Sequence, residues 1–318
     1  MKKVLIRGPL LCNCGYGIHS RQVYKWLLSR QDIKIYTQLI SWGNNPWILD
    51  TSRDLIKSIV ENSITKSESI VITFDETYQV QLPTEWSKIS DFDVGITAGV
   101  ESNICNVKII SQLNKMKKVV VPSNFSRDCF INTAKKSNLE LTTDIVVVPE
   151  SFDNITNDNQ DDMIHYNIEF KTDNNYLVFG QMNSLNENND RKNTFKTVKT
   201  LLETFRDDEN VGIVLKTNAG NNSSLSRKVC KESIETFFKI NKVDKANRKC
   251  KFYLIVDNLN TLQLRGLYTH EKIDALVSGT RAEGFGLVHL EAAMNYLPII
   301  STGWSGYNDF LGNSYLKV

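Results

Sequence analysis

Short runs rich in β-branched residues alternate with amphipathic helical segments along most of the chain, and this alternation narrows the possible folds most. In the first half the predicted strands are Lys3–Gly8, Ile33–Ile40, Ser69–Phe74, Val94–Thr97, Lys118–Pro122 and Ile145–Pro149. The predicted helices between them are Gly17–Arg30, Ser52–Ser63, Asn106–Lys115 and Ser126–Lys136. Apolar strands flanked by helices favour a parallel sheet that is covered on both faces.

A second alternation of the same kind begins at Tyr176. Its predicted strands are Tyr176–Gly180, Val211–Thr217, Lys251–Val256, Ala275–Ser278 and Pro298–Ser301. Its predicted helices are Thr194–Phe205, Ser224–Lys239, Leu259–Thr269 and Leu287–Tyr296. Because residues 153–175 are rich in Asn and Asp, we predict an α/β chain with domains 1–152 and 176–318 joined by a linker. Ligands of such sheets bind beyond the carboxyl ends of the strands.

Composition excludes several classes of protein. With 41% hydrophobic and 23% charged residues, the chain is typical of a globular protein. Its net charge of +2 supplies no electrostatic reason for tight nonspecific binding to nucleic acid. No apolar stretch approaches the ~20 residues of a membrane-spanning helix. Among six cysteines, Cys12 and Cys14 have the wrong spacing for a CxxC redox or zinc site, so we expect reduced thiols in a cytoplasmic protein.

A glycine-containing turn follows the first predicted strand. Gly15 and Gly17 precede a predicted helix, where backbone N–H groups could approach an anion, although a tight turn would explain them equally well. Position 20 is Ser20, so the dinucleotide-binding fingerprint is incomplete. His19 lies on the inward face of the same helix, either as a core residue or as a group that touches substrate.

Basic residues accompany two strands of the second half. Arg191 and Lys192 directly precede a helix whose predicted cap is Asn193 or Thr194. Two cations beside a helix N-terminus suit a diphosphate, although a solvated basic pair is the alternative. Lys216 ends a predicted buried strand, a position that favours contact with phosphate.

The segment RAEGFGLVHLEAA places a carboxylate on an apolar helix face. That face carries Leu287, Leu290 and Met294, together with Glu291. Gly284 and Gly286 predict that the helix begins near Leu287, which leaves Glu283 in the preceding loop. A buried carboxylate needs a partner. For Glu291 this is either a pair of ligand hydroxyls or a buried Arg or Lys.

RAEGFGLVHLEAAMNYLPIISTGWSG resembles the E-x7-E region of retaining GT-B glycosyltransferases, particularly family GT4. GYG, VPSNFSRDCF, RKN and LYTHEKIDALVSGT occur in the order that this family shows. The resemblance implies a GT-B fold, in which two Rossmann-like parallel-sheet domains face a central cleft. Family members usually continue beyond the GWSG loop with further βα units, so we expect a shortened C-terminal end.

The resemblance also implies a nucleotide-sugar donor, with UDP or GDP as the nucleotide, and neither a cofactor nor a metal. Lys192 would hold the diphosphate, with Arg191 and Lys216 as weaker candidates. Glu291 would bind the ribose. The implied sugar contacts are Glu283 and the backbone of Phe285, Gly286 and Leu287. Gly15 and Gly17 would face the donor phosphates, and His19 and Glu101 would lie toward the acceptor; the implied catalytic set is Lys192, Arg191, Glu283 and His19.

Two departures from the family pattern lie in these motifs. Gln181 replaces an Arg that often follows the strand glycine, and Val288–His289 replaces a Pro before the second glutamate. The implied reaction is retaining transfer of a sugar to a hydroxyl of a glycan, a small molecule or a modified DNA base, of which the near-neutral charge favours DNA least. Alternatives are a sugar-nucleotide epimerase, a phosphorylase or a noncatalytic nucleotide-sugar-binding subunit. The sequence is compatible with an oligomer.

Overall fold

The computed structural model describes residues 1–49, 53–99, 101–152, 169–181, 190–218 and 223–318. The chain divides into two compact units, Met1–Ser151 and Phe152–Val318. Most of the predicted linker, residues 153–168, lies outside the described residues. The described part of the chain contains no helix that is both long and apolar enough to cross a membrane.

The first unit is one parallel α/β sheet with its connecting helices. In chain order its elements are β1 (Lys2–Gly8), α1 (Gly15–Leu28), β2 (Ile33–Leu39), α2 (Asp54–Glu61), α3 (Lys66–Val71), β3 (Glu76–Val80), β4 (Asp93–Ile96), α4 (Lys108–Leu113), β5 (Lys118–Val121), α5 (Asn124–Lys136) and β6 (Asp144–Val147). Within the described residues the sheet has six strands in the order β2-β1-β3-β4-β5-β6, and every pairing is parallel.

The second unit repeats this architecture with another strand order. Its elements are β7 (Asn174–Phe179), α6 (Thr194–Thr204), β8 (Val211–Thr217), α7 (Ser224–Ile240), β9 (Lys251–Val256), α8 (Thr261–Tyr268), β10 (Ile273–Ser278), α9 (Leu287–Met294), β11 (Ile299–Ser301), α10 (Asn308–Leu311) and β12 (Leu316–Lys317). The described sheet has six parallel strands in the order β12-β11-β10-β7-β8-β9. The strand order therefore reverses between β7 and β10, where sheets of this type bind ligands.

Helices cover both faces of each sheet, as the apolar runs predict. In β7, Leu177 packs with residues of α8 and α9 on one face, whereas the next residue, Val178, packs with α6 and α7 on the other. Consecutive strand residues point to opposite faces, so a strand covered twice must be apolar at successive positions. All seven residues of β8 are buried for this reason.

The predicted strand Ser69–Phe74 is wrong. Thr65 forms a capping box with Glu68, whose side chain accepts a hydrogen bond from the Thr65 backbone at 2.7 Å, and this box begins the short helix α3. The strand lies further along, in β3, and was missed because its residues include buried polar side chains. Among them Glu76 is compensated by Arg30, 2.8 Å away, and Lys2, 3.1 Å away.

Candidate functional site

Two loops meet at the carboxyl edge of the second sheet, one before α6 and the other between β10 and α9. The Arg281 N–H donates to the Arg191 carbonyl at 2.9 Å, and the Asn193 side chain donates to the Gly279 carbonyl at 2.9 Å. Asn193 adopts the left-handed conformation, with φ of 53°, immediately before α6. These bonds place the basic pair, Arg191 and Lys192, against the EGFG segment, residues 283–286. Both lie at the carboxyl ends of β7 and β10, where the strand order reverses.

A buried carboxylate holds both cations. Glu283 is 7% exposed, and its Oε2 lies 3.0 Å from Nη1 of Arg191, while its Oε1 pairs with Nζ of Lys192. Thr280 also donates to Oε1, at 3.3 Å. Burial alone would raise the pKa of Glu283, but the charges of Lys192 and Arg191 outweigh it and lower the pKa to about 2. Glu283 is therefore ionised at neutral pH.

The GWSG segment, residues 303–306, anchors the backbone of the EGFG loop. The Glu283 N–H donates to Ser305 Oγ at 2.9 Å, and the Gly306 N–H donates to the Glu283 carbonyl at 2.9 Å. A Cβ on Gly306 would lie 2.1 Å from the Gly284 carbonyl oxygen, so only glycine fits there. Ser305 has φ of 107°, a strained value for a residue with a side chain, and its hydroxyl bonds to Glu283 hold it in place.

Helix α9 begins at Leu287, as predicted. Gly286 precedes it with φ of 104°, a conformation that favours glycine, and the Leu290 N–H donates to the Gly286 carbonyl at 3.0 Å. The Phe285 side chain is buried against Phe310, with ring centroids 5.1 Å apart. Its side chain therefore belongs to the core, and the loop presents backbone rather than side-chain groups at the helix N-terminus.

Glu291 has a partner that sequence reasoning missed. Its Oε2 accepts a hydrogen bond from the Tyr268 hydroxyl at 2.8 Å, instead of pairing with a buried Arg or Lys. Burial raises the pKa of Glu291, which Tyr268 and the charge of Lys192 partly oppose. The carboxylate lines a cleft between α8 and α9, together with Arg265 and Asn295. Tyr268 belongs to the LYTHEK segment, and its distance in sequence hid the pairing.

Lys216 lies beside the basic cluster, which consists of Arg191, Lys192 and Glu283, without joining it. It is 6% exposed at the end of β8, and its Nζ donates to the Asn218 side chain at 2.6 Å. Burial lowers its pKa to about 8, against a weaker opposing effect of Asp257. The backbone of Gly180, at the end of β7, donates to the Lys216 carbonyl at 2.9 Å, so this amine stands one strand away from the reversal point.

Packing explains the histidine at position 289, which departs from the pattern of the family that the sequence resembles. His289 is 1% exposed, its ring stacks on Tyr307 with centroids 4.0 Å apart, and its Nε2 lies 3.0 Å from Ser301 Oγ. Burial lowers its pKa to about 4, so the ring is neutral at neutral pH. In this chain His289 therefore joins α9 to β11.

Gly15 and Gly17 lie within the first turn of α1, not in a loop before it, which corrects the predicted helix start. A Cβ on Gly17 would lie 1.9 Å from the Cys12 carbonyl oxygen, so the close approach of the chain to itself already requires glycine. Glu101 is exposed. Glu101 belongs to the first unit.

His19 is 5% exposed and faces a second residue that sequence reasoning missed. Its Nδ1 lies 3.7 Å from Oε1 of Glu150, which is itself 7% exposed and follows β6. Glu150 directly follows the predicted strand Ile145–Pro149, and a charged residue at the end of a strand was the signal that could have identified it. Lys216 was selected because of the same kind of position. Among the described residues, no group of three or more His, Cys, Asp or Glu side chains is arranged to hold a metal ion.

Neither the protein-family models nor the curated proteins contain a match to this chain. Solved structures do match over nearly its whole length. A trehalose-6-phosphate synthase, studied with bisubstrate glycomimetics for glycosyltransfer with retention, is 10% identical, with a TM-score of 0.59 over 100% of this chain and 87% of that one. Sucrose-phosphate synthase from Thermosynechococcus elongatus is 12% identical, with a TM-score of 0.59 over 100% and 86%.

The lipopolysaccharide outer core galactosyltransferase WaaB is 14% identical, with a TM-score of 0.57 over 97% of this chain and 83% of that one. At identities this low, the structural similarity establishes a shared fold and no more. Together with two six-stranded parallel sheets in the described residues, it confirms the predicted class: this is an α/β chain with the two Rossmann-like domains of the GT-B fold.

Proposed function

We propose that this chain is a glycosyltransferase that moves a sugar from a nucleoside-diphosphate sugar to a hydroxyl acceptor, with retention of configuration. The observation that carries the proposal is the cluster of Arg191, Lys192 and Glu283 at the reversal point of the second sheet. Two cations and the N-termini of α6 and α9 converge there, which is the chemistry that a diphosphate requires.

In this proposal the donor diphosphate takes over part of the pairing that Glu283 now supplies. Lys192 is the main diphosphate ligand, and Arg191 contributes more weakly because it also donates to the Ala282 carbonyl at 3.0 Å. Lys216 reaches the diphosphate only by leaving Asn218. Glu283 and the backbone at residues 285–287 then bind sugar hydroxyls.

The ribose occupies the cleft at Glu291. An ionised carboxylate accepts several hydrogen bonds, and Tyr268 uses one of them. A ribose diol supplies two O–H donors, which favour the charged form of a group whose pKa burial has raised. UDP and GDP sugars both present this diol, so both belong to the proposed donor class.

Catalysis in this proposal is electrostatic. The acceptor hydroxyl attacks the anomeric carbon on the face that the diphosphate leaves, and the departing phosphate oxygen takes the acceptor proton. Lys192 and Arg191 stabilise the charge that builds on that oxygen. His19 and Glu101 remain the proposed acceptor-side residues, with Gly15 and Gly17 toward the donor phosphates. A glycan or a small molecule is the favoured acceptor.

Replacement of Lys192 by Ala tests the proposal. Loss of one such cation costs roughly 2–4 kcal/mol of barrier, so we expect donor turnover to fall by about 30- to 1000-fold. Nucleotide release from UDP-, GDP-, ADP- and CDP-sugars is the measurement, after a thermal-shift screen for the donor that binds. Lys196→Ala, on the exposed side of α6, is the matched control.

Unchanged turnover in Lys192→Ala would contradict the proposed site, provided that the variant keeps the wild-type melting temperature. Conversion of the donor to an isomer without nucleotide release would identify an epimerase instead. Stabilisation by a nucleotide sugar without any turnover would identify a binding subunit.

A further inference from the structure

Two buried ionisable side chains of the first unit face each other without a hydrogen bond between them. The 3.7 Å from His19 Nδ1 to Glu150 Oε1 exceeds hydrogen-bond length. His19 Nδ1 and Glu150 Oε2 are both buried, and neither atom has a hydrogen-bond partner among the residues that the structure describes. Leaving such groups unsatisfied costs free energy, so the pair lacks a component that would complete it.

The position of Glu150 is determined by its neighbour. Gln22, three residues after His19 on α1, makes two hydrogen bonds with the Ser151 backbone: its amide donates to the Ser151 carbonyl at 2.7 Å, and its oxygen accepts from the Ser151 N–H at 3.1 Å. This clamp holds the chain that leaves β6 against α1. The carboxyl group is therefore held beside the imidazole by the fold.

The pair lies at the carboxyl edge of the first sheet. Helix α1 follows β1, and a helical side chain leans toward the N-terminus of its helix, so the His19 ring lies over the first turn. In that turn the Tyr16 hydroxyl lies 2.8 Å from Thr97 Oγ1, just beyond β4. Burial raises the pKa of Tyr16, and the Glu150 carboxylate raises it further when it is ionised. Both contacts thus lie at the edge of the sheet where parallel sheets bind ligands.

The chemistry of the two unpartnered atoms identifies the missing group. Burial lowers the pKa of His19 to about 4 and raises that of Glu150 to about 8. A neutral imidazole with a carboxylic acid and an imidazolium with a carboxylate hold the same number of protons, and both have zero net charge. Because the pair has no net charge in either form, it gives no electrostatic preference for an ionic ligand. A hydroxyl, which donates one hydrogen bond and accepts others, satisfies the nitrogen and the oxygen together.

We infer that His19 and Glu150 form a hydroxyl-binding pair that positions a polyhydroxylated acceptor, with both side chains in contact with the same acceptor hydroxyl. The acceptor role rests on the proposed glycosyltransferase function, whereas the binding of a hydroxyl compound does not.

Kinetics of Glu150→Gln, Glu150→Ala, His19→Asn and the Glu150→Ala/His19→Asn double variant test the acceptor role. A panel of free hexoses serves as acceptor probe. We expect the acceptor KM to rise about tenfold or more, the effect of losing one hydrogen bond to an ionisable group, and this rise to exceed any loss of donor hydrolysis measured without acceptor. Glu150→Gln keeps the volume and part of the hydrogen bonding, so its KM should fall between those of wild type and Glu150→Ala.

The double variant should be no worse than the more severe single variant, since both act on one hydroxyl. Glu140→Gln, at an exposed glutamate of the same unit, is the control. An unchanged acceptor KM in both Glu150→Ala and His19→Asn would overturn the inference. So would an equal loss of donor hydrolysis and transfer, which would indicate a general structural role.

A second measurement does not depend on turnover. The ¹⁵N resonances of the His19 ring are followed as D-glucose is added to the full chain. We expect a saturable shift in the wild type that weakens in Glu150→Gln, even if the chain proves to have no transferase activity. No shift would mean that water alone completes the pair, and the inference would fail.

Discussion

At the scale of single residues, the proposed donor site depends on a balance of charge. Glu283 is buried deeply enough that its ionised form would be unfavourable alone, and Lys192 and Arg191 reverse that preference. Breaking a buried ion pair costs more than forming it contributes, because the remaining charge stays desolvated. The two cations are more exposed than Glu283, so the carboxylate is the member that depends on the pairing.

Replacement of Glu283 by Gln should therefore change stability in a pH-dependent way. The folded pKa of about 2 lies below the ordinary 4.5, so the carboxylate stabilises the fold above the unfolded pKa and loses this contribution as pH falls through the folded pKa. We expect a deficit of about 3 kcal/mol at pH 7, narrowing between pH 4.5 and pH 2. Urea unfolding of both proteins across this range is the measurement. A deficit that does not change with pH would show that packing, not charge, is lost.

At the scale of elements, loops after neighbouring strands brace one another. The EGFG loop before α9 is held from one side by the basic residues before α6, and from the other by the GWSG segment after β11. Positive φ at Gly286 and a close backbone approach at Gly306 are the local conditions for this arrangement. These contacts hold the backbone of the proposed donor site in one conformation.

Gly306→Ala should break this brace. The added Cβ would meet the Gly284 carbonyl at 2.1 Å, and backbone cannot move aside as a side-chain tip can. We expect a loss of about 1–3 kcal/mol in the free energy of unfolding, together with weaker stabilisation by the donor. Gly303→Ala is the matched control, since its nearest neighbour would be 3.7 Å away. Equal stability of the two variants in urea unfolding would contradict the tight contact.

At the scale of the whole molecule, each unit carries its own sheet with cores on both faces. Apart from Gly15 and Gly17, the proposed nucleotide contacts belong to the second unit, residues 152–318. A ligand that binds there protects the segments it touches from local opening. The proposed acceptor-side pair, in contrast, belongs to the first unit.

Hydrogen exchange of the full chain should therefore separate the two units. Addition of a saturating nucleoside diphosphate, without the sugar, is expected to slow exchange in the first turns of α6 and α9 and around Glu291. The segment around Glu150 should exchange at an unchanged rate. Protection confined to the first unit would contradict the proposal, which places the nucleotide on the second unit.

Much of this architecture follows from sequence alone because it depends on local pattern. Successive apolar residues in β8 predict a strand covered on both faces, and Gly286 predicts where α9 begins. The same reasoning failed at Ser69–Phe74, where a capping box overrides β-branched composition. It also missed β3, because the partners that compensate its polar residues lie far away in sequence.

What only the tertiary structure decided is which side chains meet. Lys192 and Glu283 are 91 positions apart, and the sequence assigned one to phosphate and the other to sugar without indicating that they pair. His19 was selected from its helix, but Glu150 has no local pattern that links it to that histidine. Periodicity and glycine conformation act between near neighbours, so the sequence by itself determined the elements and their order along the chain. Desolvation and charge pairing act wherever the folded backbone brings groups together, so strand order and packing determined the site.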